Sequence, residues 1–186
     1  MTKIITAAQM QALDLRTISE AHIPATTLME RAGTGVVSCL EQRWGPVRGK
    51  TVTVVCGKGN NGGDGFVAAR LLRRRHANVR VLVVTPTSEL SRDAAIMYKQ
   101  FVRGAGKSSV YLYASKAQAQ TLFQDSDILI DALLGTGLSA TVTGRYAEAI
   151  DCINETGRPV VAVDLPSGLH ADTGTILGRA IRAFFT

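Results

Sequence analysis

A doubly wound, mostly parallel α/β sheet is the fold this sequence predicts, and three observations predict it. After Gly49, short runs rich in β-branched residues alternate with amphipathic helical stretches. Those runs are nearly continuous in Val, Ile and Leu, the texture of strands buried on both faces. Single helices separate them, and a chain that passes strand, helix, strand builds parallel pairs. The chain has 186 residues, 46% hydrophobic and 19% charged, which suits one domain around one core. Disorder, collagen-like repeats and coiled coil do not fit those values.

The elements follow in order. Thr6-Ala7-Ala8-Gln9 reads as a capping box. Met10, Leu13, Ile18 and Ala21 then recur at roughly helical spacing. Pro24 restarts the chain, and Leu28, Ala32, Val36 and Leu40 form a second apolar stripe. Two helices ahead of the first strand point to a cap or an oligomer contact. Strands are expected over 51–56, 79–84, 108–113, 127–131 and 159–164, each bounded by Gly, Pro, Asp or Ser. Helices are expected over 66–76, 90–102, 116–123 and 146–156. In the first of these, Val67, Leu71 and Leu72 are expected to face the sheet, with Arg70, Arg73 and Arg74 outward.

Apolar runs such as 81–84 fall far short of the roughly 20 residues that span a bilayer. The start, Met1-Thr2-Lys3-Ile4-Ile5-Thr6, has no apolar core like that of a secretory signal. Cys39, Cys56 and Cys152 show no paired spacing, which argues against a disulfide framework or zinc and suits a reducing cytoplasm. The net charge is +6, unevenly spread. Between Arg43 and Arg80 nine Lys or Arg face one acid, Asp64, while 125–172 holds eight acids and two bases. With aromatics at 5%, little is available to stack on bases, and nucleic acid is not the expected partner. Nor is a membrane.

Three predicted strands run into conspicuous loops, and in an open α/β sheet ligands bind beyond the carboxyl ends of strands. The first, Gly57-Lys58-Gly59-Asn60-Asn61-Gly62-Gly63-Asp64-Gly65, has five glycines in nine positions and opens a helix. A plain turn needs one or two glycines; this many point to close approach of a phosphate at a helix N-terminus. Gly57, Gly59 and Gly62 satisfy G-x-G-x-x-G, but the second strand ends in Thr85-Pro86-Thr87 without the ribose-binding acid. No Gly-Lys-Ser or Gly-Lys-Thr occurs either, so a standard dehydrogenase or ATPase is disfavoured.

The other two loops are Asp131-Ala132-Leu133-Leu134-Gly135-Thr136-Gly137 and Asp164-Leu165-Pro166-Ser167-Gly168. Either aspartate alone reads most simply as a turn acid capping its own loop. Both in one crevice, facing a phosphate loop, favour proton transfer. Asn61, Asp131 and Ser167 offer oxygen ligands suited to a hard cation. His170 lies near the third loop, while His22 and His76 have no metal-ligand spacing.

Together with Leu28-Met29-Glu30-Arg31-Ala32-Gly33 and Asp172-Thr173-Gly174, these motifs resemble the NAD(P)H-hydrate epimerase family, in order and over nearly the whole chain. The resemblance implies a Rossmann-like, three-layer α/β/α sandwich. It implies a metabolite-repair isomerase that interconverts the R and S forms of hydrated NADH or NADPH, so that an S-specific dehydratase, dependent on ADP or ATP, can restore the cofactor. By motif position, Asn60, Asn61, Gly62, Gly63 and Asp64 would hold the hydrated dinucleotide. So would Gly135, Thr136, Gly137, Leu138, Ser139, Ala140 and Thr141, with Asp164 beside the reacting ring as the principal acid/base. Asn61, Asp131 and Ser167 would coordinate a potassium ion. The family's frequent basic residue after Gly-Thr-Gly is replaced by Leu138-Ser139-Ala140-Thr141-Val142, Arg145 being the nearest base. A homodimer is the assembly the resemblance allows.

The expected organisation is a single epimerase domain over 1–186 that lacks its last strand or strands and carries no dehydratase domain. A second class stays open, a catalytically weak scaffold that uses the same crevice for a nucleotide-like ligand or a protein. A third is an ordinary NAD-dependent oxidoreductase.

Overall fold

The computed structural model describes residues 4–105 and 107–186. Helices α1 (Ala7–Ser19) and α2 (Ala25–Trp44) precede strand β1 (Thr51–Cys56). Then come α3 (Asn60–Arg74), β2 (Asn78–Val83), α4 (Arg92–Ala105), β3 (Val110–Leu112), α5 (Lys116–Gln124), β4 (Ile128–Ala132), α6 (Gly144–Glu155) and β5 (Val160–Ala162). The five strands form one sheet in the order β3-β2-β1-β4-β5, with every pair parallel. The chain winds outward from β1 to β3, then crosses back to β4 on the other side of β1. That reversal opens a crevice beyond the carboxyl ends of β1 and β4, where doubly wound sheets bind ligands.

Strand residues feed two apolar layers in alternation, as the two-residue period of a pleated strand requires. Val52, Val54 and Cys56 join Val81, Ile130 and Ala132 against α2, α3 and α4. Val55, Leu82, Leu129 and Val160 point the other way, onto α5 and α6. This is the doubly wound three-layer sandwich the sequence predicts. Buried Thr53 is satisfied at 2.7 Å by Ser126 Oγ, which donates to the Leu122 carbonyl. Phe184 and Phe185 lie parallel beside β5, with Phe184 N–H donating to Val160 and Ala162 N–H to the Phe185 carbonyl. Among the described residues no helix is long and apolar enough to cross a membrane.

Four expectations need correction. Helix α3 starts at Asn60, not residue 66, so most of the glycine-rich segment is helix. Glycine's low helix propensity argued otherwise, but close packing overrides it. A Cβ on Gly65 would sit 2.5 Å from Ala132 Cβ and 2.9 Å from Cys56 Sγ, and one on Gly63 2.8 Å from Met29 Sδ. The bare backbone lets this end of the helix sink onto β1, β4 and α2. Arg70 does not face out. Its side chain is 13% exposed and pairs with Glu30 on α2, and Arg75 reaches Glu41 at 2.9 Å. Arg73 and Arg74 are exposed as expected, but Leu71 is only partly buried.

The capping box of α1 forms, with Gln9 N–H donating to Thr6 Oγ1 and Thr6 N–H to the Gln9 side chain. This helix, expected as a cap or an oligomer contact, buries no residue of its own, and Met10 and Leu13 are 43% and 46% exposed. Finally, β5 ends at Ala162, two residues short of Asp164, because the chain turns out of the sheet there.

Candidate functional site

Three loop segments converge on the crevice, as the strand order requires. The first is the start of α3. Its N-terminus, with Gly59 as cap residue, has no side-chain cap, so the N–H groups of the first turn face the opening unclaimed by any side chain. With the partial positive charge of the helix end, such a terminus can hold an anion. Lys58 N–H donates to the Tyr146 hydroxyl at 3.2 Å, which ties this loop to α6.

The second loop, after β4, lies directly across. Asn61 Nδ2 donates to the Leu134 carbonyl at 2.9 Å, and Thr136 N–H donates to Asp164 Oδ2 at 2.8 Å. Gly135 is pressed between them, where a Cβ would sit 2.5 Å from Asp164 Oδ2 and 3.5 Å from Asn61 Cβ. Leu138 N–H closes the turn onto the Gly135 carbonyl at 3.1 Å. Gly135, Thr136, Gly137 and Leu138 thus belong to the crevice wall. Ser139, Ala140 and Thr141 are exposed, and Thr141 lies against Gly178 instead. Arg145 is exposed on the first turn of α6.

The third loop carries Asp164 and Ser167. Gly168, at φ 102°, has the Arg179 carbonyl where a side chain would go, so no other residue could turn the chain there. Below it is a buried polar knot. Asp131 is fully buried and Ser167 1% exposed. The Asp131 carboxylate accepts from Ser167 Oγ at 2.6 Å, Ser167 N–H at 2.8 Å and Leu133 N–H at 3.2 Å. Burial pushes Asp131 up to about 6, the three donors pulling against it.

Asn61 is 8% exposed, and its Oδ1 is buried with no hydrogen-bond partner. A buried unpaired carbonyl costs about 1–3 kcal/mol unless a ligand meets it. The structure therefore brings together all three residues singled out as oxygen ligands, and beside them the Leu134 carbonyl. Among the described residues no group of three or more His, Cys, Asp or Glu is placed to hold a metal. The donor set is instead amide, hydroxyl, carbonyl and a single carboxylate, which fits a weakly charged hard cation and not zinc or copper.

Two features lay outside the sequence reading. Asp64, expected only as a substrate contact, is partly buried, and burial pushes it up to about 7, with the Asp164 and Asp14 carboxylates adding to the rise. Helix α1 crosses the crevice: Ala7 N–H donates to Asp172 Oδ1 at 2.7 Å, and Gln11 lies over Gly137. Gln11 and Asp14 are three residues apart and so share a helix face. That polar pair was the one available signal, and nothing local connects it to residues fifty positions on. His170 Nδ1 accepts from Asp172 N–H at 3.3 Å and so helps hold the loop on which α1 rests.

A family model described as YjeF-related protein N-terminus matches residues 25–186. The bifunctional NAD(P)H-hydrate repair enzyme Nnr of Moorella thermoacetica is 40% identical over 185 residues, a match covering 98% of this chain and 35% of that protein. The NAD(P)H-hydrate epimerase of Limosilactobacillus fermentum is 38% identical over 182 residues, covering 98% of this chain and 83% of that protein. The chain thus spans little more than a third of the bifunctional relative but most of the epimerase. Among solved structures, yeast YNL200c superposes with a TM-score of 0.81 at 23% identity, covering 98% of this chain and 78% of that one. That likeness is one of fold.

Proposed function

The chain belongs to the family of YjeF-related protein N-termini, and from that premise we propose that it is an NAD(P)H-hydrate epimerase, an isomerase of metabolite repair. The observation that carries the reading is the crevice itself: an uncapped helix N-terminus for the pyrophosphate stands beside a carboxylate fixed by a backbone donor. The similarity to bifunctional NAD(P)H-hydrate repair enzymes supports coupling to a dehydratase. The three free thiols suit a reducing compartment, and we place the protein in the cytoplasm.

The hydrate carries its hydroxyl on the ring carbon next to nitrogen, so it is a hemiaminal. Inverting that carbon requires loss and return of the hydroxyl, or opening and reclosing of the ring. Both routes move protons, and neither involves net oxidation or reduction. Asp164 is the acid/base: Thr136 N–H holds Oδ2 and thereby orients the carboxyl, leaving Oδ1 for the substrate. Asn60 to Asp64 and the wall from Gly135 bind the dinucleotide.

Asn61 Oδ1, the Leu134 carbonyl, Ser167 and Asp131 would hold a potassium ion, which would fix the first, second and third loops relative to one another by charge. Asp131 and Ser167 already brace each other, so the cation's own contribution falls mainly on Asn61.

Incubation with R-hydrated NADH, followed by chromatography of the two forms, tests the reading. Appearance of the S form faster than without protein, with loss of about 100-fold or more in Asp164→Asn, is the expected result. Hydrate binding without epimerisation would leave a scaffold; hydride transfer to a carbonyl compound would make it an oxidoreductase.

A further inference from the structure

We propose that Asp64 is a second catalytic acid/base of the epimerisation, working with Asp164 so that one carboxyl protonates the departing hydroxyl while the other takes a proton from the entering water. This rests on the epimerase reading and goes beyond it, since a single carboxyl presents itself to one face of a ring and inversion uses both.

The geometry supplies the pair. Asp164 stands at the end of the β5 loop, with Oδ2 held by Thr136. Asp64 stands on the second turn of α3, a helix start that its glycines pin against β1, β4 and α2. Asp164 and, from α1, Asp14 are the carboxylates close enough to Asp64 to raise it further, after the larger effect of its own burial. A partly buried carboxyl set near two other carboxylates is destabilised in its charged form, a cost that functional sites retain. The link to Asp164 is geometric: a Cβ on Gly135 would lie 2.5 Å from Asp164 Oδ2 and 3.5 Å from Asn61 Cβ, which sets the Asp164 carboxyl against the start of α3, and Asp64 stands one turn on from Asn61 along that helix. Burial and the two acids hold Asp64 at about 7, so near neutrality it can both keep and lose a proton.

The step balances. The protonated carboxyl gives its proton to the hydroxyl oxygen, the C–O bond breaks with its electron pair leaving on water, and the ring nitrogen's lone pair forms a C=N bond. Water then adds to the opposite face, the C=N pair returns to nitrogen, and the surplus proton passes to the other carboxylate. One water leaves, one enters, and nothing is oxidised or reduced. The two carboxyls end with their protonation exchanged, which is the starting state for the reverse reaction.

The test measures R-to-S conversion of hydrated NADH by the full chain between pH 5 and 9, for wild type, Asp64→Asn and Asp14→Asn. Asp64→Asn is expected to lose about 100-fold in kcat with KM changed only a few-fold, and its residual rate to lack the wild type's fall above pH 7. Asp14→Asn is expected to move that fall to lower pH, because removing a like charge lowers the pKa of Asp64; a purely structural Asp64 would give no such shift. An Asp64→Asn enzyme that keeps the wild-type rate and pH profile overturns the proposal and leaves the epimerase reading standing. Wild type that binds the hydrate without epimerising it overturns both. Should Asp64→Asn fail to fold, carboxyl NMR titration of the wild type decides: a midpoint for Asp64 in the ordinary range near 4 overturns the proposal.

Discussion

The loop after β1 and the loop after β4 face the same crevice, yet their glycines do opposite things. In the first, a Cβ on Gly57 would run into the Leu133 carbonyl and one on Gly62 into the Gly57 carbonyl, so both are demanded by the protein's own backbone. In the second, Gly135 is pressed only against the Asp164 side chain and Asn61, and Gly137 touches nothing closer than Gln11 at 4.0 Å. One rim is built for close packing, and the other for the placement of a carboxylate. A glycine-rich stretch therefore carries two messages, and the neighbours of each Cα tell them apart.

That contrast breaks most easily at Gly135. Gly135→Ala drives a methyl into Asp164 Oδ2 without touching the core, so kcat should fall about 100-fold, as small misplacements of a catalytic group do, while the melting temperature stays within roughly 2 °C. If stability falls instead, the second rim is as structural as the first. Gly62→Ala should show the reverse pattern, losing about 3 kcal/mol, or roughly 6–12 °C by calorimetry, because neither carbonyl nor helix can yield.

Asp64 sharpens the comparison further, since it is the one acid carried by the packed rim. Its folded pKa lies above the unfolded value, at about 7 against 3.8, so the native state holds a proton that the unfolded chain releases across that window. Stability therefore falls as pH rises from about 4 to 7. Asp64→Asn escapes the fall. Allowing for solvent screening, it should melt roughly 2–6 °C above wild type at pH 8 and close to it at pH 4, in parallel thermal scans. Smallest of all is Gly59→Ala: φ is −87° and no atom lies within 4 Å of the new methyl, so the melting temperature should move by about 1 °C or less.

The same division separates what was legible beforehand. The β1 strand was placed to the residue, since six β-branched or small apolar residues between Lys50 and Gly57 admit no other pattern. Asp131, Ser167 and Asn61 were picked out as one oxygen-rich group, and they do meet. The start of α3 was misplaced by six residues, because propensity counts glycine against a helix and cannot see the strand ends that the bare backbone approaches. Arg70 was turned outward because periodicity alone gives a helix one buried face, and α3 is covered by α2 as well as by the sheet. The apolar stripe expected on α2, Leu28, Ala32, Val36 and Leu40, is offset by one position from most of the face that packs, because Met29, Gly33, Val37 and Leu40 are the buried ones and spacing alone does not say which side meets α3.

The sequence by itself determined the fold class, the order of its elements and the chemistry gathered at the strand ends, because hydrophobic period and turn residues are properties of neighbours along the chain. Only the tertiary structure decided that the sheet reverses at β1 and β4, that α1 crosses the crevice with Asp14 toward Asp64, and that Asp64 holds its proton near neutrality. Each of those depends on charges and surfaces fifty or more residues apart, and electrostatic and packing energies are set by distance in space.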